Sequence, residues 1–420
     1  MPSAENSPAR STLRRRRAVT STRPCPVCHC REVWHLHTMQ FTLPEASPLP
    51  RQYAVVVCAR CGSGFADSDA QATTYDTYYR SFSKYADPAV ATGGGEAPAD
   101  LQRLEQLATD LSRQLPRHAR ILDVGCGNGG LLKRLRLLGF QELTGFDPSP
   151  ICTARIHADA MNAESITLPL ERSWWHARNE SPFDLIVLSH VLEHLFDVKA
   201  ALQSLIALLS PGGKVYIEVP DPTRYDTHAF LPLYFFDTEH INHLGPASFA
   251  FLADQLKLSL TASGPKTIRL PNGANYPALF CFLEAGGLTD LITTESLYGP
   301  LQDYVEQSIQ RLAPLRMRIL SLVGDDTPFV LWGAGSLAQR LIAEHWFPRH
   351  SLLAVVDRDS KKHGLQFAGT TILPPEIALR DLPNRTVILC AAAITTGEIK
   401  ADYQALGMPY IFCPIVEDVH

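Results

Sequence analysis

The sequence predicts an α/β protein, and three observations carry that expectation. The first is Ile121-Leu-Asp-Val-Gly-Cys-Gly-Asn-Gly-Gly130, an apolar strand-like lead-in followed by four glycines within six residues and a helical run from Leu131 to Leu138. Strand, glycine turn and helix together form a nucleotide-binding geometry, because glycine lets backbone approach a ligand where a side chain would intrude. The second is an alternation of strand and helix patterns through the middle third. Strands are expected at 120–124, 142–146, 165–168, 183–189 and 214–219. Such alternation implies a parallel sheet with helices on both faces. The third is another glycine turn, Leu331-Trp-Gly333-Ala-Gly335-Ser-Leu-Ala338, with strand patterns at 352–357 and 386–393 behind it.

Length and composition bound the class. At 420 residues with 45% hydrophobic and 19% charged residues, the chain has material for two to four globular domains. A net charge of −5 gives no general attraction for nucleic acid, and no apolar run reaches the length of a membrane span. Residues 1–22 read as a disordered basic tail containing the tetrad Arg14–Arg17. No hydrophobic segment follows that tetrad, so a secretory or twin-arginine signal is not expected and the cytoplasm is the expected location. Four of the ten cysteines form two Cys-x-x-Cys pairs, whereas Cys126, Cys152, Cys281, Cys390 and Cys413 sit among apolar residues as core side chains. That usage suggests metal binding rather than disulfides.

The elements divide into units. Residues 23–86 form a cysteine-anchored unit ending in the aromatic run from Tyr75 to Tyr85, and glycines 93–95 mark a linker. Residues 87–285 form the main α/β unit. It opens with a helix on which Leu101, Leu104, Leu107 and Leu111 recur at helical spacing. Pro211-Gly-Gly213 is expected as a turn between a helix at 200–209 and the fifth strand, and 256–263 with 276–284 as an antiparallel pair. A long helix at 304–323 leads into the last unit, residues 286–420.

Cys25-Pro-Val-Cys28 and Cys58-Ala-Arg-Cys61-Gly62 are two knuckles. Each presents two thiolates to one ion, and together they complete a closed tetrahedral structural zinc site. Gly62 suits the tight turn after Cys61, and His29 and Cys30 are bystanders.

The spacing of Gly125, Gly127 and Gly130 alone fits a dinucleotide fingerprint as well. The residues around the glycines discriminate. Asp123 precedes the first glycine by two positions, and Asp147 ends the second strand, where an acidic side chain can accept from ribose hydroxyls. Phe183-Asp184-Leu-Ile and Leu209-Ser-Pro-Gly-Gly-Lys214 follow in order. This ordered set resembles class I S-adenosylmethionine (SAM)-dependent methyltransferases. The resemblance implies their seven-stranded Rossmann-like sheet, SAM as cofactor, and contacts from Asp123, Gly125, Cys126, Gly127, Asp147, Ser189 and His190. At the adenine position after the third strand, where that family often has Asp, this chain offers Thr167 and Leu168.

Between the fifth strand and the next helix lies a long segment containing Leu233-Tyr-Phe-Phe-Asp-Thr-Glu-His240-Ile-Asn-His243. Loops at the carboxyl ends of parallel strands are where α/β folds bind substrate, and a neutral His there can take a proton near neutral pH. A four-cysteine unit, a class I methyltransferase core and a carboxy-terminal Rossmann-like unit together resemble the nucleotide-sugar C-methyltransferases. That resemblance implies methylation alpha to the ketone of a nucleotide-linked keto-deoxysugar by base-assisted enolisation. His240 would be the base, Glu239 its partner and His194 a second active-site histidine, with Tyr79, Tyr234 and Asn242 facing substrate. The family's Tyr-His-Glu-His motif is only half kept: Asp237 and Thr238 stand where it has Tyr and the first His. His243 reads as structural. His190-x-x-Glu193-His194 has the spacing of an inverted zinc-protease motif, but it falls in the methyltransferase register and no third ligand is apparent.

The second glycine turn with Asp357 fits dinucleotide spacing, and in this architecture it is expected to help hold the nucleotide-sugar. Other readings are O- or N-methylation of a sugar or secondary metabolite, RNA methylation, which the acidic charge disfavours, and a non-catalytic scaffold, which the intact cofactor motif disfavours. The expected partner is a small-molecule substrate, with no nucleic acid and no membrane; the sequence leaves the oligomeric state open.

Overall fold

The computed structural model describes residues 17–82, 98–170, 181–228, 231–270, 273–286, 295–324, 326–392 and 394–416. The tail through residue 16, the glycine patch at 93–95 and Tyr85 lie outside them. Among the described residues no helix is long and apolar enough to cross a membrane.

The chain opens with antiparallel strands β1 (Val19–Thr20), β2 (Glu32–Gln40), β3 (Gln52–Cys58) and β4 (Gly64–Asp67). One cysteine knuckle joins β1 to β2 and the other joins β3 to β4, so strand pairing itself brings the two turns together. Gly62 adopts a φ of 74° and donates its N–H to Cys58 at 3.1 Å, closing the second knuckle. A helix, Ala72–Thr77, then runs into a π-helical turn, Tyr78–Phe82, which carries Tyr78 and Tyr79.

The central sheet contains β5 (Ile121–Val124), β6 (Leu143–Asp147), β7 (Asn162–Ser165), β8 (Phe183–Ser189) and β9 (Leu209–Pro220), all parallel. After the insertion containing β10 (Asn242–His243), two long strands, β11 (Leu258–Arg269) and β12 (Asn275–Ala285), complete it with antiparallel pairing. The order is β11-β12-β9-β8-β5-β6-β7. The strand order switches side beside β5, with β6 on one flank and β8 on the other, and this switch point opens a crevice at the carboxyl ends of β5 and β8. β8 reads Phe-Asp-Leu-Ile-Val-Leu-Ser, an apolar run with Leu185–Leu188 buried, as a central parallel strand covered on both faces requires.

Two local expectations are corrected. The third strand is Asn162–Ser165 rather than 165–168. It is an edge strand whose polar residues hide it from a hydrophobicity pattern, while Ile166, Thr167 and Leu168 leave the sheet and face the crevice. Pro211-Gly-Gly213 is not a turn ahead of a strand but lies within β9. The register against β8 jumps there, from Phe183 opposite Leu209 to Leu185 opposite Lys214, and Gly212 absorbs the irregularity at a φ of 76°.

A helix from Tyr298 to Val323, longer than expected, leads to the last sheet. It comprises β13 (Phe329–Trp332), β14 (Leu352–Val356), β15 (Gln366–Phe367), β16 (Thr370–Leu373), β17 (Val387–Cys390) and β18 (Ile411–Pro414), in the order β15-β16-β14-β13-β17-β18. Only β15 is antiparallel to its neighbour.

The units interlock around the crevice. β10, inside the long insertion, pairs antiparallel with β4 of the cysteine unit, Asn242 opposite Phe65. The aromatics just before it, Phe235 and Phe236, are buried with Tyr225, Tyr304 and Tyr53 in one cluster drawn from four segments of the chain. Phe235 stacks on Tyr225 with ring centroids 3.9 Å apart. Burying such rings contributes about 2–3 kcal/mol each, enough to hold the insertion in place.

Candidate active site

The site is built from the carboxyl end of β5. Asp123 is buried in that strand, and burial pushes its carboxyl up to about 8, against the pull of Arg103 and with the help of Asp147. Gly125 follows at a φ of 70°, and a Cβ there would lie 2.5 Å from Val191 Cγ2, so only glycine fits. Gly127 donates its N–H to Asp147 Oδ2 at 2.9 Å, and Ser149 donates to Asp147 Oδ1 at 2.8 Å. The end of β6 thus braces the glycine turn of β5. Cys126 is a correction. Its sulfur packs against Gly145 in the core, where a Cβ would come within 2.7 Å of it, so the side chain faces away from the crevice.

Ser189 and His190 lie where the sequence put them, on a buried network that sequence reasoning missed. Its centre is Glu218 of β9, which is fully buried. Arg103 donates to Ser189 Oγ at 2.6 Å and to Glu218 Oε1 at 3.2 Å. Tyr216 and Lys266 donate to Glu218 Oε2 at 2.7 and 2.6 Å. Burial alone would raise this carboxyl, but His190, Arg103 and Lys266 overcome it and hold Glu218 well below the usual carboxylate range. His190 lies 3.1 Å from Glu193 and 3.4 Å from Glu218; burial lowers its affinity for a proton, and the two carboxylates raise it above the ordinary histidine value. The lone carboxylate in Val215-Tyr-Ile-Glu-Val219 was the available signal.

A second group of titratable side chains gathers around His194. His194 Nδ1 lies 2.9 Å from the Tyr79 hydroxyl and 3.0 Å from the Glu239 carbonyl. A carbonyl only accepts, so Nδ1 bears the proton and Nε2 is the bare nitrogen. Burial, reinforced by His240, lowers the pKa of His194 and favours this neutral form. The His240 ring stands 4.9 Å from that of His194, centroid to centroid. Asp237 accepts from the backbone N–H groups of Glu239 at 2.8 Å and His240 at 2.7 Å, and its Oδ2 is 4.0 Å from His240 Nδ1.

Asp237, one of the two residues that depart from the resembled motif, is therefore the carboxylate facing His240. Glu239, expected as the partner of His240, instead accepts from Tyr78 at 2.9 Å. Asn242, expected to face substrate, is buried: it donates to the carbonyls of Leu192 and Leu195 and accepts from Arg23. Those bonds use its amide to pin the insertion against the cysteine unit. His243 is structural as expected, its pKa pulled down to about 3 by burial. Glu193, His194 and His240 bring donor atoms within 4.8 Å of one another, whereas His190, the first residue of the inverted zinc-protease spacing, is not part of that group.

One cavity of about 520 Å³ connects these parts. Its walls include Gly125, Gly127, Asp147 and Ile166–Leu168, then Tyr79, His194, Tyr234, Asp237 and His240, and Trp332, Gly333, Gly335 and Asp357 of the last unit. The second glycine turn is held in a similar way. Ala334 donates to Asp357 Oδ2 at 2.8 Å and Asp359 to Asp357 Oδ1 at 2.9 Å. Both glycine turns are thus braced by the acid that ends the following strand.

The cysteines converge as the knuckles implied. Cys25 and Cys61 sulfurs are 3.5 Å apart, Cys28 and Cys58 3.4 Å, and all four lie within 4.8 Å of one another. A tetrahedral zinc ion with bonds of about 2.3 Å would set its sulfurs about 3.8 Å apart, so the four thiols fit it after a small expansion.

Residues 99–262 match a family described as a methyltransferase domain. With the strand order above, this decides the class. The chain carries a class I SAM-dependent methyltransferase domain. The domain resembles ubiquinone biosynthesis O-methyltransferase of Xanthomonas axonopodis pv. citri (strain 306), 31% identical over 157 residues, or 37% of this chain and 62% of that protein. The enzyme of the same description from Caulobacter sp. (strain K31) is 35% identical over 100 residues, covering 23% of this chain and 39% of that one. The chain therefore spans less than two thirds of these relatives. Among solved structures, magnesium protoporphyrin IX methyltransferase from Synechocystis PCC 6803 with bound SAH aligns at 15% identity, with a TM-score of 0.40, over 51% of this chain and 100% of that one. Within the methyltransferase domain, the cofactor motif occupies the crevice that its fold leaves open.

Proposed function

We propose that this protein is a SAM-dependent methyltransferase acting on carbon, alpha to the ketone of a nucleotide-linked sugar. The observation that supports this reading is the single cavity joining the cofactor turn of the methyltransferase domain, the His194–His240 wall and a second glycine turn of the same design. The first turn, with Asp123, Gly125, Gly127 and Asp147, would hold SAM, and the second would hold the nucleotide of the acceptor. SAM, when bound, supplies an electrophilic methyl group. His240 removes the alpha proton at Nε2, the nitrogen away from Asp237, and Asp237 stabilises the resulting imidazolium. Tyr79, whose hydroxyl can accept from His194 Nδ1–H, keeps its own proton to donate to the enolate oxygen. The aromatic walls exclude water from that oxygen. We further propose that the four-cysteine unit holds structural zinc: its fold supports the insertion that carries His240.

Methylation of a hydroxyl oxygen is the second reading, favoured by the names of the relatives in the cofactor half of the chain. In it His240 would deprotonate the hydroxyl instead. Labelled SAM offered with keto-sugar nucleotides, hydroxylated sugars, quinols and RNA separates these readings. Solvent deuterium entering the alpha carbon, and lost in His240→Asn, is the expected result. Methylation of a hydroxyl without exchange would sink the C-methylation reading, and transfer to RNA alone would sink both.

A further inference from the structure

The turn that carries His194 is fastened to the cysteine unit. It is a single helical turn, Leu192–His194, just after β8. Asn242 Nδ2 donates to the carbonyls of Leu192 at 2.8 Å and Leu195 at 2.6 Å, and the Ile241 N–H donates to that of Glu193 at 2.8 Å. The Asn242 amide is itself oriented from elsewhere: its Oδ1 accepts from Arg23 Nη2 at 2.8 Å, a buried bond across 219 residues of chain. A side-chain amide donates on one side and accepts on the other, and it can turn over unless a partner that only donates fixes its oxygen. A guanidinium has no acceptor, so Arg23 is that partner.

Arg23 is in turn held by the cysteine unit. It stands two residues before Cys25 and is 3% exposed. Its N–H donates to Asp67 Oδ1 at 2.9 Å, and its carbonyl accepts from Ser21 Oγ at 2.7 Å. The guanidinium lies 5.3 Å from the ring centre of Phe65 in β4 and 4.9 Å from that of Phe196, two residues beyond His194. A cation over aromatic faces is attracted to them, and a planar one is kept to one orientation. The knuckle that follows reaches the same segment again. Pro26 accepts from the Lys199 N–H at 3.0 Å, and His29 Nε2 lies 3.1 Å from Asp197 Oδ2. The second of these contacts is exposed and adds little stability, but it touches the residue that caps the helix Val198–Ile206.

We propose that Arg23 is a positioning residue for His194. Through Asn242 it sets the turn that aims the His194 ring, and zinc in the adjoining knuckle keeps Arg23 in register. His194 Nδ1 lies 2.9 Å from the Tyr79 hydroxyl and 3.0 Å from the Glu239 carbonyl, so a displaced turn breaks the bonds that keep the proton on Nδ1. This goes beyond the support that the cysteine unit gives to the His240 insertion, and it rests on the zinc reading for what steadies the knuckle.

The test reads the His194 ring directly. In the full-length protein with isotope-labelled histidine, nitrogen–proton correlation spectra report which ring nitrogen carries the proton; the His194 signals are those lost in His194→Gln. The wild type should show the proton on Nδ1. Arg23→Met should keep about one equivalent of zinc and unchanged S-adenosylhomocysteine affinity, yet show a mixture of the two neutral forms. Arg23→Lys, still a cation that only donates, should lie between them, and it is the variant to read should the methionine fail to fold. An arginine that merely stabilised the cysteine unit would lower the Tm on substitution and leave the spectrum of the folded protein unchanged; that result would overturn the proposal. Loss of zinc from folded Arg23→Met would overturn it too, because the metal rather than the guanidinium would then set the turn. In the wild type, removing zinc with a chelator should speed amide exchange across residues 192–199 at least about 10-fold, as the knuckle lets go of Arg23 and Lys199. Unchanged exchange, or a protein purified without zinc, would overturn the part given to the metal and leave Arg23 to be decided by the spectra. No methyl acceptor enters these measurements, so they stand even if the keto-sugar reading fails.

Discussion

Replacing Asp123 by Asn should change the pH dependence of stability in a direction opposite to most carboxylate substitutions. Asp123 is buried in β5, and its carboxyl is pushed up to about 8 in the folded protein, whereas an unfolded chain ionises near pH ~3.9. The folded state therefore holds a proton that the unfolded state has lost throughout the interval between them. A raised carboxyl contributes stability that is complete below the unfolded value and is lost as pH rises through the folded value. Each pH unit inside the window removes about 1.4 kcal/mol, so raising pH from about 6.0 to about 7.5 should cost the ligand-free wild type about 2 kcal/mol through this residue alone. The amide of the Asp123→Asn variant has no such proton to lose. Urea melts of wild type and variant at the two pH values give the difference, in which other titrating groups cancel. A difference under about 0.5 kcal/mol would refute the argument. The same logic predicts proton release at pH 7 when a cationic ligand docks beside Asp123, measurable by calorimetry in buffers of different ionisation enthalpy.

Other outcomes follow from the same geometry. Asn242→Ala should destabilise the fold by about 3 kcal/mol, because it strips Arg23 of its acceptor and two buried carbonyls of their donor, and S-adenosylhomocysteine affinity at the native baseline should be unchanged. If affinity falls while the melt does not move, Asn242 faces ligand after all. Cys58→Ser should drop bound zinc, measured by plasma mass spectrometry, from about one equivalent to near zero. Full zinc retention in that variant would reject the four-thiolate site. Gly125→Ala should weaken SAM binding at least about 10-fold, since the new methyl meets Val191 and the φ of 70° is strained for alanine.

Several features were legible in the residues alone. Asp123, Gly125, Gly127 and Asp147 could be read because one turn imposes them locally: backbone at positive φ demands glycine, and the next strand must end in an acceptor for the turn's N–H. The knuckles are local in the same sense. β7 was misplaced because an edge strand need not be apolar, and Cys126 was misassigned because neighbours in a turn point to opposite sides.

By itself, then, the sequence determined the α/β class, the cofactor turn and the four-thiolate cluster, all features whose physics closes within a few residues. Tertiary structure alone decided that Asp237 rather than Glu239 faces His240, that Tyr79 reaches His194 across 115 residues, and that Arg103 meets Glu218. It also placed a second glycine turn on the same cavity. Hydrogen bonds and charge pairs between distant segments leave no periodic trace in a chain; they exist only once packing has brought those segments to one wall.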